Sequence, residues 1–254
     1  MKDWTGTADA YARSFARLCA GAVPAILERT PVPGTALDAG TGTGTVAAAL
    51  AHAGHTVEGV DAAADMLAYA RVAHPGLRFT AASLPDLPFA SGHFDLAVAN
   101  FVVNHVPRPR AAVAELARVT APGGRVIVTI WPSAPISPMN ALWNEVVVRA
   151  GATPPTGQRL AVADDFARTP DGLRALLAEG GLVDAAVAEI SWDFVIPADD
   201  LWQGVEAGIA TIGTIYRAQG ERGQAAMRRV FDELSGGGIL TLPSTAIIAA
   251  ATRL

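Results

Sequence analysis

Between residues 35 and 131, short β-rich apolar runs alternate with alanine-rich stretches of helical spacing. The runs are TALDA (35–39), TVEGV (56–60), RFTAA (78–82), FDLAVAN (94–100) and RVIVTIW (125–131). Between them the pattern predicts helices at about 43–53, 63–73 and 109–120, the first closed by Gly54 and the last followed by Pro122, Gly123 and Gly124, a turn that needs positive φ. Strand, helix and strand in repetition imply a mostly parallel sheet covered on both faces. From 132 onward the pattern loosens. SAPISP opens a connection, amphipathic segments follow near 139–150 and 170–180, and a strand is predicted at AVAEISWDFVI (186–196). Helices at about 198–218 and 221–235 precede a last β-like run, TAIIAAAT (245–252). Ahead of the sheet, residues 7–29 read as helix with a bend near Gly21 and Pro24, because proline removes a helix donor and clashes with the preceding turn.

A chain of 254 residues and 26.1 kDa buries one sizeable core. One domain is expected, with 1–34 as a helical cap, 35–131 as the core and 132–254 as lid helices plus the last two strands. The net charge of -5, the absence of a basic cluster and a single lysine, Lys2, argue against nucleic acid or an anionic membrane as partner. A small-molecule partner fits better. Cys19 is the only cysteine, so there is no disulfide framework or thiolate metal cluster. The opening MKDWTGTADAY has no apolar run suited to a signal peptide, and no apolar stretch approaches the ~18 residues of a membrane span. A cytoplasmic monomer or homodimer is expected.

Candidate chemistry starts at ALDAGTGTG (36–44), which follows the first strand. In a doubly wound sheet, ligands bind outside the carboxyl ends of the strands where strand order reverses. Gly40, Gly42 and Gly44 permit positive φ and let a ligand lie against the main chain, and the following helix offers free N–H groups. A tight turn with no ligand is the plainer alternative, and Asp38 as a mere cap of the next helix belongs with it. Spacing narrows the ligand: G-x-G-x-x-G would need glycine at position 45, which is Thr45, so the dinucleotide fingerprint is broken.

What remains, D-x-G-x-G-x-G, resembles motif I of the class I S-adenosylmethionine-dependent methyltransferases, in particular the small-molecule branch with the ubiquinone and menaquinone C-methyltransferases. The likeness extends over most of 36–131. Asp61, seventeen residues after Gly44, matches the acid that binds both ribose hydroxyls in that family; DAAADML (61–67) resembles D-x-S-x-x-M-L, with Ala62 and Met66 against adenine. SLPDLPFASGHFDLAVANFVVNHV (83–106) resembles the stretch that binds adenine and shapes the acceptor pocket, with Ser83 where the family usually has aspartate. ELARVTAPGGRVIVTIW (115–131) resembles the segment leading into the fifth strand, with Thr120 replacing leucine. The resemblance implies a Rossmann-like seven-stranded α/β sheet with the last strand antiparallel and helical lid insertions. It implies S-adenosyl-L-methionine as cofactor, S-adenosyl-L-homocysteine as product, and a cofactor site of Tyr11, Asp38, Gly40, Thr41, Gly42, Gly44, Asp61, Ala62, Met66, Ser83, Leu84 and Asn100. The acceptor is expected at Phe15, Trp131, Trp143, Trp202 and Tyr216, although any of these aromatics can equally fasten the lid to the sheet.

Absences narrow the reaction. No Pro-Cys dipeptide supports a covalent cysteine route, and Asn100, Phe101, Val102 and Val103 stand where an Asn/Asp-Pro-Pro-aromatic loop would hold adenine or glutamine amino groups. No His, Asp and Glu cluster has metal-ligand spacing, so metal-free transfer is the default. Of five histidines, His52, His55, His74 and His93 fall on the amino-terminal side of the strands. His105 alone follows a strand's carboxyl end, as a candidate general base or a positioning residue. Methyl transfer to a small aromatic or polyketide-like acceptor, of a kind met in secondary metabolism, is the leading reading. A protein of the same fold that binds the cofactor without methyl transfer, and an NAD-dependent oxidoreductase, are the alternatives.

Overall fold

The computed structural model of the chain describes residues 6–156 and 164–254; of the opening stretch read above, residues 1–5, Lys2 among them, lie outside. Seven strands form one sheet: β1 (Thr35–Ala39), β2 (Thr56–Asp61), β3 (Arg78–Ala81), β4 (Phe94–Asn100), β5 (Thr120–Ile130), β6 (Leu182–Pro197) and β7 (Ile239–Arg253). Around it lie α1 (Ala8–Arg13), α2 (Phe15–Ala20), α3 (Val23–Leu27), α4 (Thr45–His52), α5 (Ala64–Ala73) and α6 (Pro109–Val119). The second half adds α7 (Pro138–Arg149), α8 (Pro170–Glu179), α9 (Ala198–Glu206), α10 (Ala210–Arg217) and α11 (Glu221–Ser235).

The strand order is β3-β2-β1-β4-β5-β7-β6. β1 to β5 run parallel, and β7 is antiparallel to both β5 and β6. The expected seven-stranded sheet with its last strand antiparallel is therefore present. The chain winds outward from β1 to β3, then returns to lay β4 on the other side of β1. The connections after β1 and β4 lead to helices on opposite faces of the sheet, α4 and α6, and leave the crevice in which such sheets bind ligands.

Apolar stripes bury both faces. Leu116 of α6 and Leu173, Leu176 and Leu177 of α8 pack on one side of the sheet, and Leu50 of α4 and Leu67 of α5 on the other. A third cluster lies past the sheet's carboxyl edge, where Phe194 and Ile196 of β6 and Leu242 of β7 meet α7, α9, α10 and α11. β5 pairs only with 247–252 of β7, so the ribbon formed by 190–197 and 239–246 runs on beyond the sheet and carries this lid.

Four boundaries differ from the sequence reading. The single helix expected over 198–218 is two, α9 and α10, because Gly208 sits at φ +81 and Gly213 packs against its backbone. The leading helix is three short ones, with a break at Ser14 as well as near Gly21; Ser14 adopts a non-helical backbone and its Oγ donates to the Ala10 carbonyl. β6 and β7 are longer than predicted because each supplies the other's hydrogen bonds beyond the sheet. The Pro122–Gly124 turn lies within β5 as a register jump: Phe94 pairs Thr120, yet Leu96 pairs Arg125. Among the described residues no helix is long and apolar enough to cross a membrane.

Trp202 holds the lid cluster together. It is fully buried, stacks on Phe231 at 5.0 Å, meets Tyr216 edge-on at 5.4 Å, and donates from Nε1 to Glu206 Oε1 at 2.9 Å. Trp202→Ala is expected to lower stability by about 3–5 kcal/mol, the usual range for removing a large buried aromatic. Urea denaturation followed by circular dichroism measures it; a loss below about 1 kcal/mol contradicts this packing role.

Candidate functional site

The loop after β1 turns on three left-handed glycines, Gly40, Gly42 and Gly44, with φ of +73, +53 and +86. The protein itself crowds two of them. A Cβ on Gly40 would collide with Val102, and one on Gly44 with His74 and Phe79, whereas one on Gly42 would meet only Tyr11 at an ordinary 3.5 Å. Gly42 is thus the glycine that leaves backbone open to the cleft. Asp38, 1% exposed, fixes the loop from behind: its Oδ2 accepts from Thr41 Oγ1 at 2.6 Å and from the Ala47 amide at 3.0 Å. Burial pushes its carboxyl up to about 6, against the pull of those two donors. Asp38, Thr41 and Gly44 therefore shape the loop without bordering the large cavity described next; Asp38 and Thr41 line a small pocket of about 30 Å³ behind it.

Asp61, at the end of β2, joins two loops. Its Oδ2 accepts from the Gly42 amide and its Oδ1 from the Ala63 amide, both at 2.9 Å. Burial raises its pKa, and these amides oppose the rise. Asp61, Ala62, Met66, Ser83 and Leu84 form a continuous wall with Gly40 and Gly42. Tyr11 closes the wall from α1, which is tethered by the Thr7 amide donating to Asp65 Oδ2 at 3.0 Å. Burial holds the Tyr11 hydroxyl well above its ordinary pKa. Asn100 at the end of β4 also borders the cavity, but its side chain is engaged: Nδ2 donates to the Cys19 carbonyl at 3.2 Å, and Oδ1 accepts from Thr129 Oγ1 at 2.6 Å.

From this wall one cavity of about 1210 Å³ extends under the lid. That exceeds the roughly 300–1,000 Å³ of a typical single-ligand pocket. Phe15, Trp131, Trp143 and His105 border it, Trp131 lying flat on Phe101 at 3.9 Å. Trp202 and Tyr216, expected at the acceptor, do not reach it, because each is turned into the lid's own core. Of the histidines, only His105 borders the cavity; His55 Nδ1 accepts from the Gly34 amide, and His93 packs against Phe94. Much of the far wall was not anticipated: the 132–138 connection, Ile209–Ile212, Pro243–Thr245 and Glu189. Asn140, Trp143, Asn144 and Val147 recur at helical spacing on one face of α7, a signal that was available in the sequence.

The open Gly42 backbone, the carboxylate beside it and the apolar slot at Met66 suit an adenosine-bearing ligand. Residues 37–128 match a family model described as a methyltransferase domain. A demethylmenaquinone methyltransferase of Renibacterium salmoninarum is 34% identical over 139 residues, 54% of this chain and 56% of that protein. Another, of Streptomyces griseus subsp. griseus, is 30% identical over 222 residues, 84% of this chain and 89% of that protein. The chain thus spans little more than half the length of the first relative and most of the second. In fold it is similar to the YcgJ protein of Bacillus subtilis, with a TM-score of 0.56 and 20% identity, covering 92% of this chain and 98% of that one.

The buried Asp38 carries a pH signature. Its folded pKa of about 6 lies above the 3.8 of an unburied aspartate, so the folded state holds its proton longer than the unfolded state does. Its contribution to stability is present at low pH and falls as pH rises from about 4 to about 6, by up to roughly 3 kcal/mol. Denaturation of the wild type and Asp38→Asn across that range should show the wild type losing stability relative to the variant as pH rises; parallel curves contradict it.

Proposed function

Because the chain belongs to the class I S-adenosylmethionine-dependent methyltransferases, we propose that it methylates an apolar small molecule, aromatic or polyketide-like, from S-adenosylmethionine. The observation that carries this reading is the single cavity of about 1210 Å³, with the glycine loop and Asp61 at one end and the apolar lid at the other, roomy enough for two ligands. The two relatives are named for methylating demethylmenaquinone, which supports an apolar acceptor.

In this reading the Asp61 oxygens, each with a lone pair beyond those given to Gly42 and Ala63, accept the ribose hydroxyls. Ala62 and Met66 flank the adenine, Ser83 accepts from its amino group, and Tyr11 covers the methionine end. The bound cofactor supplies an activated methyl on a sulfonium. The protein's task is to align the acceptor in line with it and to keep water out. Phe15, Trp131 and Trp143 hold the acceptor body, and His105 takes the proton that the acceptor loses. The net charge of -5 supports a small acceptor over nucleic acid, and the reading sets the protein in the cytoplasm as a monomer or homodimer. Screening phenols, quinones and amines for S-adenosylhomocysteine release tests the reading; cofactor binding with no release from any acceptor class would favour a cofactor-binding protein that transfers no methyl.

Asp61→Ala is expected to weaken S-adenosylmethionine binding by about 1.5–3 kcal/mol, the range for hydrogen bonds to a charged group. Isothermal titration reads this, and unchanged affinity removes Asp61 from the ribose. His105→Gln should lower kcat by roughly 10²-fold while sparing cofactor affinity, in line with general-base contributions. A loss under about fivefold with KM alone raised would make His105 a positioning residue.

A further inference from the structure

Thr129 of β5 is fully buried and stands beside Asn100 of β4 in the register of the sheet. Its Oγ1 accepts from the Phe101 amide at 2.9 Å and donates to Asn100 Oδ1 at 2.6 Å. On the other side of the same amide, Asn100 Nδ2 donates to the Cys19 carbonyl at 3.2 Å. The direction of this chain is fixed from both ends. A backbone N–H only donates and a carbonyl only accepts, so the Asn100 nitrogen has to face Cys19 and the Thr129 proton has to go to Oδ1. Turned over, the amide would set Oδ1 against the Cys19 carbonyl, acceptor against acceptor.

Cys19 lies in the last turn of α2, where carbonyls run out of helical donors, and its own meets the Ala22 amide at a long 3.3 Å. The Asn100 amide therefore acts as a side-chain cap on α2. Cys19 also reaches across to α1, because the Tyr11 hydroxyl donates to its Sγ at 3.8 Å. The two helices meet at the non-helical backbone of Ser14, and the far end of α1 is held by Asp65 through the Thr7 amide. The pair is thus fastened at α5 and at the end of β4, with a bend between. Tyr11, Phe15 and Leu18 of this pair border the cavity. We propose that Thr129 is a positioning residue: by fixing which way the Asn100 amide faces, it latches the C-terminal end of α2 to the strand ends and keeps α1 and α2 closed over the cofactor wall. Without the hydroxyl, Oδ1 loses its donor, the amide turns freely, and the bond to Cys19 is made only part of the time. This rests on the cofactor site of the proposed function and names the device that closes it.

Hydrogen–deuterium exchange of the ligand-free protein and titration of S-adenosylhomocysteine test the latch together. Thr129→Val, which removes the hydroxyl and keeps the shape, should speed exchange over residues 8–20 and weaken S-adenosylhomocysteine, each by about fivefold, the scale of one lost neutral hydrogen bond. Thr129→Ser keeps the hydroxyl and should restore both. Ile127→Val, at an equally buried position two residues earlier on β5, lowers overall stability without touching the relay and should leave both as in the wild type. Asn100→Asp keeps the bond from Thr129 but sets an acceptor against the Cys19 carbonyl; it should speed the same exchange by at least as much, and it decides the matter should Thr129→Val misfold. Exchange unmoved by Thr129→Val, faster exchange with unchanged affinity, no rescue by serine, or an equal effect of Ile127→Val would overturn the proposal. The exchange arm needs no ligand, which keeps the two readings apart. Failure of S-adenosylhomocysteine to bind the wild type would sink the methyltransferase function and leave exchange alone to decide the latch, whereas binding with exchange indifferent to Thr129 would sink only the latch.

Discussion

The carboxylate of Asp61 and the two amides it accepts from are the contact on which the site depends. Gly42 lies in the loop after β1 and Ala63 in the loop after β2, so one side chain locks two crossover loops into a single wall. The charge is favourable there only because amide donors answer it; burial alone drives the acid toward its neutral form. Asp38 does the complementary work behind the loop, tying Thr41 and the Ala47 amide of α4 to β1. Gly42 can then adopt positive φ with its backbone bare toward the cleft, while Val102 and His74 fill the space beside Gly40 and Gly44. The sheet topology places this wall, and the hydrogen bonds keep it open.

The lid hangs on a different kind of interaction. Beyond β5 the β6–β7 ribbon has no further strand to pair with, and it gains its stability by burying Phe194, Ile196 and Leu242 against α7, α9, α10 and α11. Phe15 and Leu18 of α2 join the same cluster and Tyr11 of α1 packs against it, so the helix that closes the cofactor end and the helices that close the acceptor end share one core. Asn100 ties α2 to the sheet through the Cys19 carbonyl. A change in how α2 sits therefore reaches both ends of the cavity.

The parallel half was legible in the sequence because its signals are local. Period, glycine spacing and the acid after β2 all lie within short windows, and strands β1 to β5 fall close to where the runs were read. The lid was less legible because side-chain direction there is set by partners distant in sequence. Trp131 and Trp143 border the cavity and Trp202 and Tyr216 do not, yet nothing in the sequence around each tryptophan separates them; Trp143 and Trp202 both stack on Phe231, and Trp202 is further enclosed by Tyr216 and by its bond to Glu206. The break at Gly208 was hidden by helical periodicity on both sides of it. The wall from 132 to 138 looked like a connection and no more, since proline-rich segments carry no period to read.

The central claim is that one cavity takes S-adenosylmethionine at the wall built by Gly42 and Asp61, with the acceptor under the lid. Hydrogen–deuterium exchange with and without S-adenosylhomocysteine tests it most directly. The account predicts slowed exchange over 40–47, 61–67 and 83–87 and in the α1–α2 region, with residues 221–235 unchanged. Protection confined to the lid helices, or none with S-adenosylhomocysteine but protection of 40–47 with NAD, would contradict it.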